Sequence, residues 1–281
     1  MPKLCQLTFE TRPFHSYVRL YLESLAQKLR SSRDLAVAEP TKHRNDIYGD
    51  IEKRETSTPA VPAATVALLR DRNGVAEVLM LRKNSKIAFG GLWVFPGGRI
   101  DDNDFDAPDD LQQAARNAAV RETIEEASIR LEGDAFHWFA HWTPPASTPV
   151  RFGTWFFIAR APNASDEVQV DGGEIKEHAW ITPTEALQRH SREEIDLAPP
   201  TWVTLYHLSN YSSSGEAINH FRRLTPRYYE THLAKNRAGT RIAMWEGDAG
   251  YKEYDADKEG DTHRLVMEPN GFRFLHSAVS Y

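Results

Sequence analysis

The sequence predicts an α/β protein: a mixed β-sheet with helices on its faces over residues 61–235, a helical extension with a connector over residues 1–60, and a β-rich tail over residues 236–281. Three observations predict it. Two apolar runs, residues 63–69 and 75–81, flank Asp71-Arg72-Asn73-Gly74, and Asn-Gly between such runs is the strongest short hairpin signal. Strand-like runs then alternate with helix-like ones as far as residue 209. The tail after Arg241 carries short apolar runs around a second turn signal, Pro269-Asn270-Gly271.

Taken in order, Val18, Tyr21, Leu22, Leu25 and Leu29 fall at helical spacing, so residues 14–31 read as an amphipathic helix that packs on the main domain or on a second copy in a homodimer. Residues 38–62 are polar, irregular and proline-bearing, and read as a connector. After the hairpin, Trp93, Val94 and Phe95 form a short strand that runs into Pro96-Gly97-Gly98, read as a backbone turn. An acidic loop over residues 101–110, with Asp101, Asp102, Asp104 and Asp106, reads as surface, with an added cation ligand as its alternative, and an alanine-rich helix follows as far as Ala127. Residues 136–142, 151–159 and 179–181 read as strands. Thr182-Pro183 starts a helix, with the threonine as N-cap and the proline at the first helical position; Pro199-Pro200 introduces another over residues 201–209.

Composition bounds the function. With 41% hydrophobic and 26% charged residues in 281, the chain reads as an ordinary soluble globular protein. A formal net charge of -6 offers no overall basic field to gather nucleic acid. The single cysteine, Cys5, forms neither an intrachain disulfide nor a zinc cluster, so a reducing, cytoplasmic compartment is the expectation. No apolar run approaches the roughly 20 residues that span a bilayer. Glu10 and Glu23 weaken a transit-peptide reading of the mildly basic N-terminus.

The chemistry lies in Arg121-Glu122-Thr123-Ile124-Glu125-Glu126-Ala127-Ser128-Ile129. Relative to Val120 on a helical wheel, Ile124 falls at ~40° and Ala127 at ~340°, while Glu125, Glu122 and Glu126 fall at ~140°, ~200° and ~240°. The three carboxylates are therefore expected opposite an apolar stripe. Two carboxylates about 4 Å apart repel by roughly 1 kcal/mol in water and about 4 at a surface-like dielectric. Arg121, four residues before Glu125, offsets part of this, but one arginine does not balance three acids. A hard divalent cation does, and oxygen-only ligands suit Mg²⁺ or Mn²⁺ rather than zinc. A solvated glutamate-rich face is the plain alternative. Against it stands Gly97-Gly98 just upstream, where the lack of side chains lets a backbone carbonyl approach a ligand or metal.

These residues resemble the Nudix box, Gly-x5-Glu-x7-Arg-Glu-U-x-Glu-Glu-x-Gly-U with U aliphatic. Gly98 matches the first glycine, and Arg121, Glu122, Ile124, Glu125, Glu126 and Ile129 match the second half in register. The resemblance implies an α/β/α sandwich, hydrolysis of a nucleoside diphosphate linked to another moiety, and Mg²⁺ or Mn²⁺ held by Glu122, Glu125, Glu126 and the Gly98 carbonyl. The chain departs from the pattern in three places. Fourteen residues separate Gly98 from Gln113 where the pattern has five, and Gln113 stands where the first glutamate is expected. Ser128 replaces the glycine that ends the helix, and serine tolerates a left-handed cap less well.

The likeness extends to Leu81-Arg82-Lys83-Asn84-Ser85, Phe89-Gly90-Gly91-Leu92-Trp93-Val94, Trp142-Thr143-Pro144-Pro145 and Arg151-Phe152-Gly153-Thr154-Trp155-Phe156-Phe157, which are similar to the branch containing coenzyme A diphosphatases. That branch implies coenzyme A, an acyl-coenzyme A or a related dinucleotide as the small-molecule substrate. Arg82, Lys83 and Arg151 are candidate phosphate contacts, each with a solvated or structural ion pair as its alternative. The expected roles are Glu122 and Glu126 as metal ligands with Glu125 next, Arg121 orienting them, and attack by a metal-activated water. The base is a box glutamate or one from a distant loop, with Glu174 the distant candidate and Glu177 its rival. Three readings compete: an ADP-ribose or NADH pyrophosphatase, a nucleotide sensor that binds without cleaving, and a hydrolase of capped RNA, which the net charge disfavours.

Overall fold

The first hairpin forms as its turn residues dictate. In a computed structural model that describes residues 42–49, 51, 59–85, 90–148, 150–162, 168–170 and 172–280, strands β1 (Val61–Arg72) and β2 (Val75–Lys83) pair antiparallel across Asn73 and Gly74. Both turn residues have positive φ, 52° and 81°, as a two-residue turn matched to strand twist requires. The helix expected over residues 14–31 and most of the connector lie outside the described residues.

Strand β3 (Trp93–Val94) pairs with the end of β2. The next segment corrects the sequence reading. Gly97–Arg99 is a strand, β4, antiparallel to Ala63, Ala64 and Thr65 of β1, and neither Gly97 nor Gly98 has a positive φ. The pairing of β1 with β2 covers only Leu69 to Arg72, which leaves the other end of that edge open for β4. A Cβ on Gly97 would collide with the Ala64 carbonyl and Thr65, so these glycines serve a close approach and not a turn.

Strands β5 (His137–Thr143), β6 (Phe152–Arg160), β7 (Ile175–Ile181) and β8 (Arg227–Glu230) complete a mixed sheet in the order β3-β2-β1-β6-β5-β8, with β4 on β1 and β7 on β2. Strand β6 runs parallel to β1. Alternation along β1 sends Ala64, Val66 and Leu68 to one face and Ala67 and Leu69 to the other. The first face packs against Ala115, Ala118 and Ala119 of helix α1 (Leu111–Ala127). The second packs against Ala186, Val203, Leu205 and Ala217, from helices α2 (Pro183–Ser191), α3 (Pro199–Leu208) and α4 (Ser214–Phe221). Helices on both faces of a mixed sheet make the α/β/α architecture that the resemblance implied. Thr182 caps α2 by accepting from the Glu185 N–H, with Pro183 at the start. Among the described residues no helix is long and apolar enough to cross a membrane.

Helix α1 is rotated from the expected orientation. Its buried residues are Ala114, Ala115, Ala118, Ala119, Thr123, Glu126 and Ala127, so the inward stripe centres on Glu126, while Val120 and Ile124 are only half-buried. Alanines supply the contact because their small side chains let the helix lie close on the sheet. A wheel read from the last two turns, with Val120 as its origin, misses them. The helix ends at Ser128 with φ 58°, the left-handed conformation of the family glycine, and Ser128 Oγ donates to the Gln169 carbonyl at 3.1 Å.

The tail forms a separate antiparallel sheet, β12-β11-β10-β9, from β9 (His232–Lys235), β10 (Arg241–Met244), β11 (Arg264–Glu268) and β12 (Gly271–Leu275). Pro269 and Asn270 make the expected turn between the last two. Trp245, Leu265, Met267 and Phe274 join the same core cluster as Phe139, Trp142 and Tyr229 of the central sheet. Trp142 stacks flat on Tyr229, and Trp245 meets both edge-on.

Candidate functional site

The carboxylate helix meets the sheet at β4. Glu126 is 4% exposed, and its Oε2 accepts from the Gly97 N–H at 2.9 Å. Its Oε1 lies 3.4 Å from Lys83 Nζ at the end of β2. Glu122 is packed so closely against β4 that a Cβ on Gly98 would collide with its carboxylate. Gly98 is required because the helix carboxylate occupies the volume a side chain would fill.

Burial raises both acids. It pushes Glu126 up to about 7, against the opposing pull of Lys83 and the Gly97 N–H, with Glu122 adding repulsion. Glu122 is raised for the same leading reason, countered by Arg121. Arg121 is held well above its ordinary range, first by Asp104 and then by Glu122. Its Nε and Nη2 reach the two Asp104 oxygens at 3.0 and 2.9 Å, Nη1 reaches Glu122 at 2.8 Å and Glu125 at 3.1 Å, and Nη2 also donates to the Arg99 carbonyl. Asp104 corrects the reading of residues 101–110 as surface: it is 5% exposed, and its carboxylate is the buried anchor of Arg121. Its neighbours Asp101, Asp102 and Asp106 are exposed.

These groups line one end of a cavity of about 690 Å³. Of the sequence candidates, Gly98, Arg121, Glu122, Glu125, Glu126, Lys83 and Glu174 line it. Glu174 is mostly exposed, with its carboxylate 3.9 Å from Lys83. Arg82 and Arg151 do not line it. Arg82 pairs with Glu177 at 2.8 Å, which also takes that rival base away from the cavity. Arg151 donates to the Pro144 carbonyl and borders a separate small pocket. Each side chain is held elsewhere, Arg82 by Glu177 of the neighbouring strand β7 and Arg151 by the Pro144 carbonyl. Sequence reasoning missed Arg99, the residue after the two glycines, and Ile47, Tyr48 and Thr231, which reach the cavity from far along the chain. The glycine pair was the available signal for Arg99. Nothing local marks the other three.

The donor set suits a hard cation: oxygen-only, anionic, desolvated at Glu122 and Glu126 though exposed at Glu125, and beside a glycine whose missing side chain opens the backbone. Among the described residues no three carboxylates converge on one point. Arg121 draws Glu122 and Glu125 to one side, and Lys83 with the Gly97 N–H holds Glu126 on the other. Two protein cations thus partner the acids that a divalent ion fits.

An α/β/α sandwich with a glycine strand facing a carboxylate helix is the arrangement of Nudix-type domains. The chain belongs to the NUDIX domain family, whose model matches residues 59–202. It is 29% identical over 143 residues to the acyl-coenzyme A diphosphatase NUDT19 of Gallus gallus, an alignment covering 44% of this chain and only 38% of that protein. It also resembles the crystal structure of a NUDIX hydrolase from Alicyclobacillus acidocaldarius, with a TM-score of 0.52 and 24% identity over 58% of this chain and 97% of that one. Both relatives are hydrolases, the class that the sequence predicts.

Proposed function

We propose that this domain hydrolyses the diphosphate linkage of a nucleoside diphosphate derivative, with coenzyme A or an acyl-coenzyme A as the first candidates and Mg²⁺ or Mn²⁺ as the cofactor. The observation that carries the reading is Glu126: a carboxylate 4% exposed, next to Glu122, at the charged end of a cavity large enough for a nucleotide derivative. Glu122, Glu126, Glu125 and the Gly98 carbonyl are the ligands proposed for the cation. When bound, a divalent ion lowers the pKa of a water and neutralises charge on phosphoryl oxygens.

The chain's own residues do the rest. Asp104 holds Arg121, and Arg121 holds Glu122 and Glu125, so the acids face the cavity in fixed rotamers. Lys83 and Arg99, both on the cavity wall, supply positive charge to the substrate phosphates. Glu174 is the proposed general base; it lines the cavity, whereas Glu177 is engaged by Arg82 outside it. The name of the Gallus gallus relative favours coenzyme A thioesters over ADP-ribose or NADH.

The test is a product assay by mass spectrometry with coenzyme A, an acyl-coenzyme A, NADH, ADP-ribose and a capped nucleotide, each with Mg²⁺ and with Mn²⁺. Cleavage of one at its diphosphate, only with metal and lost in Glu126→Gln, is the expected result. Tight binding without cleavage of any of them would replace hydrolysis with a sensor role.

A further inference from the structure

The cavity extends well beyond the metal-type carboxylates, and its floor is one register row of the sheet. Arg99 of β4 pairs with Ala63 of β1, Ala63 with Thr154 of β6, and Thr154 with Trp142 of β5; all four line the cavity. Three strand-to-strand steps place Trp142 about 14 Å from β4. Among the described residues, every charged residue on the wall comes from β2, from β4 and the loop after it, from α1, or is Glu174. The far end is neutral: Ile47, Tyr48, Trp142, Thr148 and Thr231, while Phe152 lies under the Arg99 guanidinium nearer the charged end.

That neutral end carries unmet hydrogen-bonding capacity. Trp142 Nε1 and Thr148 Oγ1 are buried, on residues 3% and 8% exposed, and neither has a hydrogen-bond partner among the described residues. Leaving a buried indole N–H without an acceptor is costly, so such a group is rarely left without a use. Tyr48 adds a phenol that burial keeps protonated, and hence a donor, beside Thr231.

Tyr48 and Ile47 arrive on a strap, residues 42–49, which lies outside the family match, as does everything after residue 202. Buried polar contacts tie the strap down. Asn45 Oδ1 accepts from the Leu197 N–H and meets His190 Nε2, and Asn45 Nδ2 donates to Asp196. Arg241 of β10 forms a buried ion pair with Asp46 and donates to the carbonyls of Tyr48 and Gly49 at 3.2 and 2.8 Å. A Cβ on Gly49 would collide with the Ser147 carbonyl, so the strap lies directly on the loop that presents Thr148. The tail sheet therefore fastens the segment that closes the neutral end.

We infer that the strap, held by Arg241, completes a specificity subsite in which Tyr48, Trp142 and Thr148 receive the non-nucleotide arm of the substrate: an uncharged, amide-bearing arm longer than one sugar. The inference rests on the proposed diphosphate hydrolysis for the position of the phosphates at the charged end. A donor-only indole selects a carbonyl or similar acceptor. Among the described residues no charged side chain reaches the cavity wall at this end, which disfavours a second phosphate group there.

The test uses the full chain and the near-isosteric variants Tyr48→Phe and Thr148→Val. Binding of coenzyme A, which carries such an arm, and of ADP-ribose, which does not, is measured by calorimetry, with hydrolysis of both followed in parallel with Mg²⁺. Each variant is expected to lower the preference for coenzyme A over ADP-ribose three- to tenfold, and the pair more. An unchanged ratio in both variants, or no coenzyme A binding by the wild type, overturns the subsite. Coenzyme A binding that weakens in the variants while no substrate is cleaved keeps the subsite and sinks the hydrolase reading. Cleavage of coenzyme A with an unchanged ratio does the reverse. Arg241→Lys, which keeps the charge but loses the forked contacts to Asp46, Tyr48 and Gly49, is expected to shift the ratio in the same direction.

Discussion

Asp104 tests whether the site is built from inside the acidic loop. Its two oxygens take two charge-assisted bonds from Arg121, at 3.0 and 2.9 Å, and Oδ2 also accepts from the Asp101 N–H at 2.8 Å. Hydrogen bonds to charged groups contribute about 1.5–3 kcal/mol each. Asparagine keeps one acceptor and loses the charge, so Asp104→Asn is expected to cost about 2 kcal/mol. Asp104→Ala loses all three bonds. It should cost about 3–4 kcal/mol, at the lower end of the range for a broken buried pair because Arg121 keeps Glu122, Glu125 and the Arg99 carbonyl. Urea unfolding measures both values, and the proposed diphosphate hydrolysis should fall at least tenfold as Arg121 loses the anchor that fixes it against Glu122 and Glu125. A surface aspartate would change stability by less than about 0.5 kcal/mol. Values that small in both variants would refute the buried anchor and return the loop to the surface.

Three further outcomes follow from the same geometry. Gly97→Ala meets backbone at Ala64 and Thr65, whereas Gly98→Ala meets the movable end of Glu122; the first should cost more stability in urea and the second more turnover, and equal effects on both would contradict the two roles. On the proposed metal site, Mg²⁺ is expected to raise the melting temperature of the wild type and not of Glu126→Gln, read by calorimetry with and without a chelator, because the substitution removes the charge of a buried carboxylate. Burial lowers His190 and His263 to about 4 in the folded state. Between about pH 6.5 and 4 the unfolded chain binds protons that these imidazoles refuse, so stability is present above 6.5 and is lost as pH falls, by about 1.4 kcal/mol per pH unit for each histidine. His190→Gln should flatten that slope by about one proton; an unchanged slope would show that His190 titrates freely.

Several features were legible in the sequence because their causes are local. Asn73-Gly74 made a hairpin since only such residues take two positive φ values cheaply, and Thr182-Pro183 started a helix through a cap three residues long. The register of Arg121, Glu122, Glu125 and Glu126 was readable because helical spacing alone puts the acids within reach of Arg121. The same local reading failed where a distant strand or side chain cast the deciding vote. Gly97-Gly98 looked like a turn, and became a strand only because β1 offered it an open edge more than thirty residues upstream. The helix wheel gave the angles between the acids and missed which of them faces inward, since alanine contacts with the sheet set that rotation.

What the sequence by itself determined is the family, the hairpin and helix signals, and the order of the acids along one helix, all products of spacing within a few residues. What only the tertiary structure decided is which groups are dry and which residues share a cavity. Burial of Asp104 and Glu126, the removal of Arg82 and Arg151 from the site, and the sharing of one cavity by Trp142 and the Arg241-held Tyr48 each depend on chain segments far apart in sequence. Desolvation is a property of everything packed around a group, so no pattern read along the chain contains it.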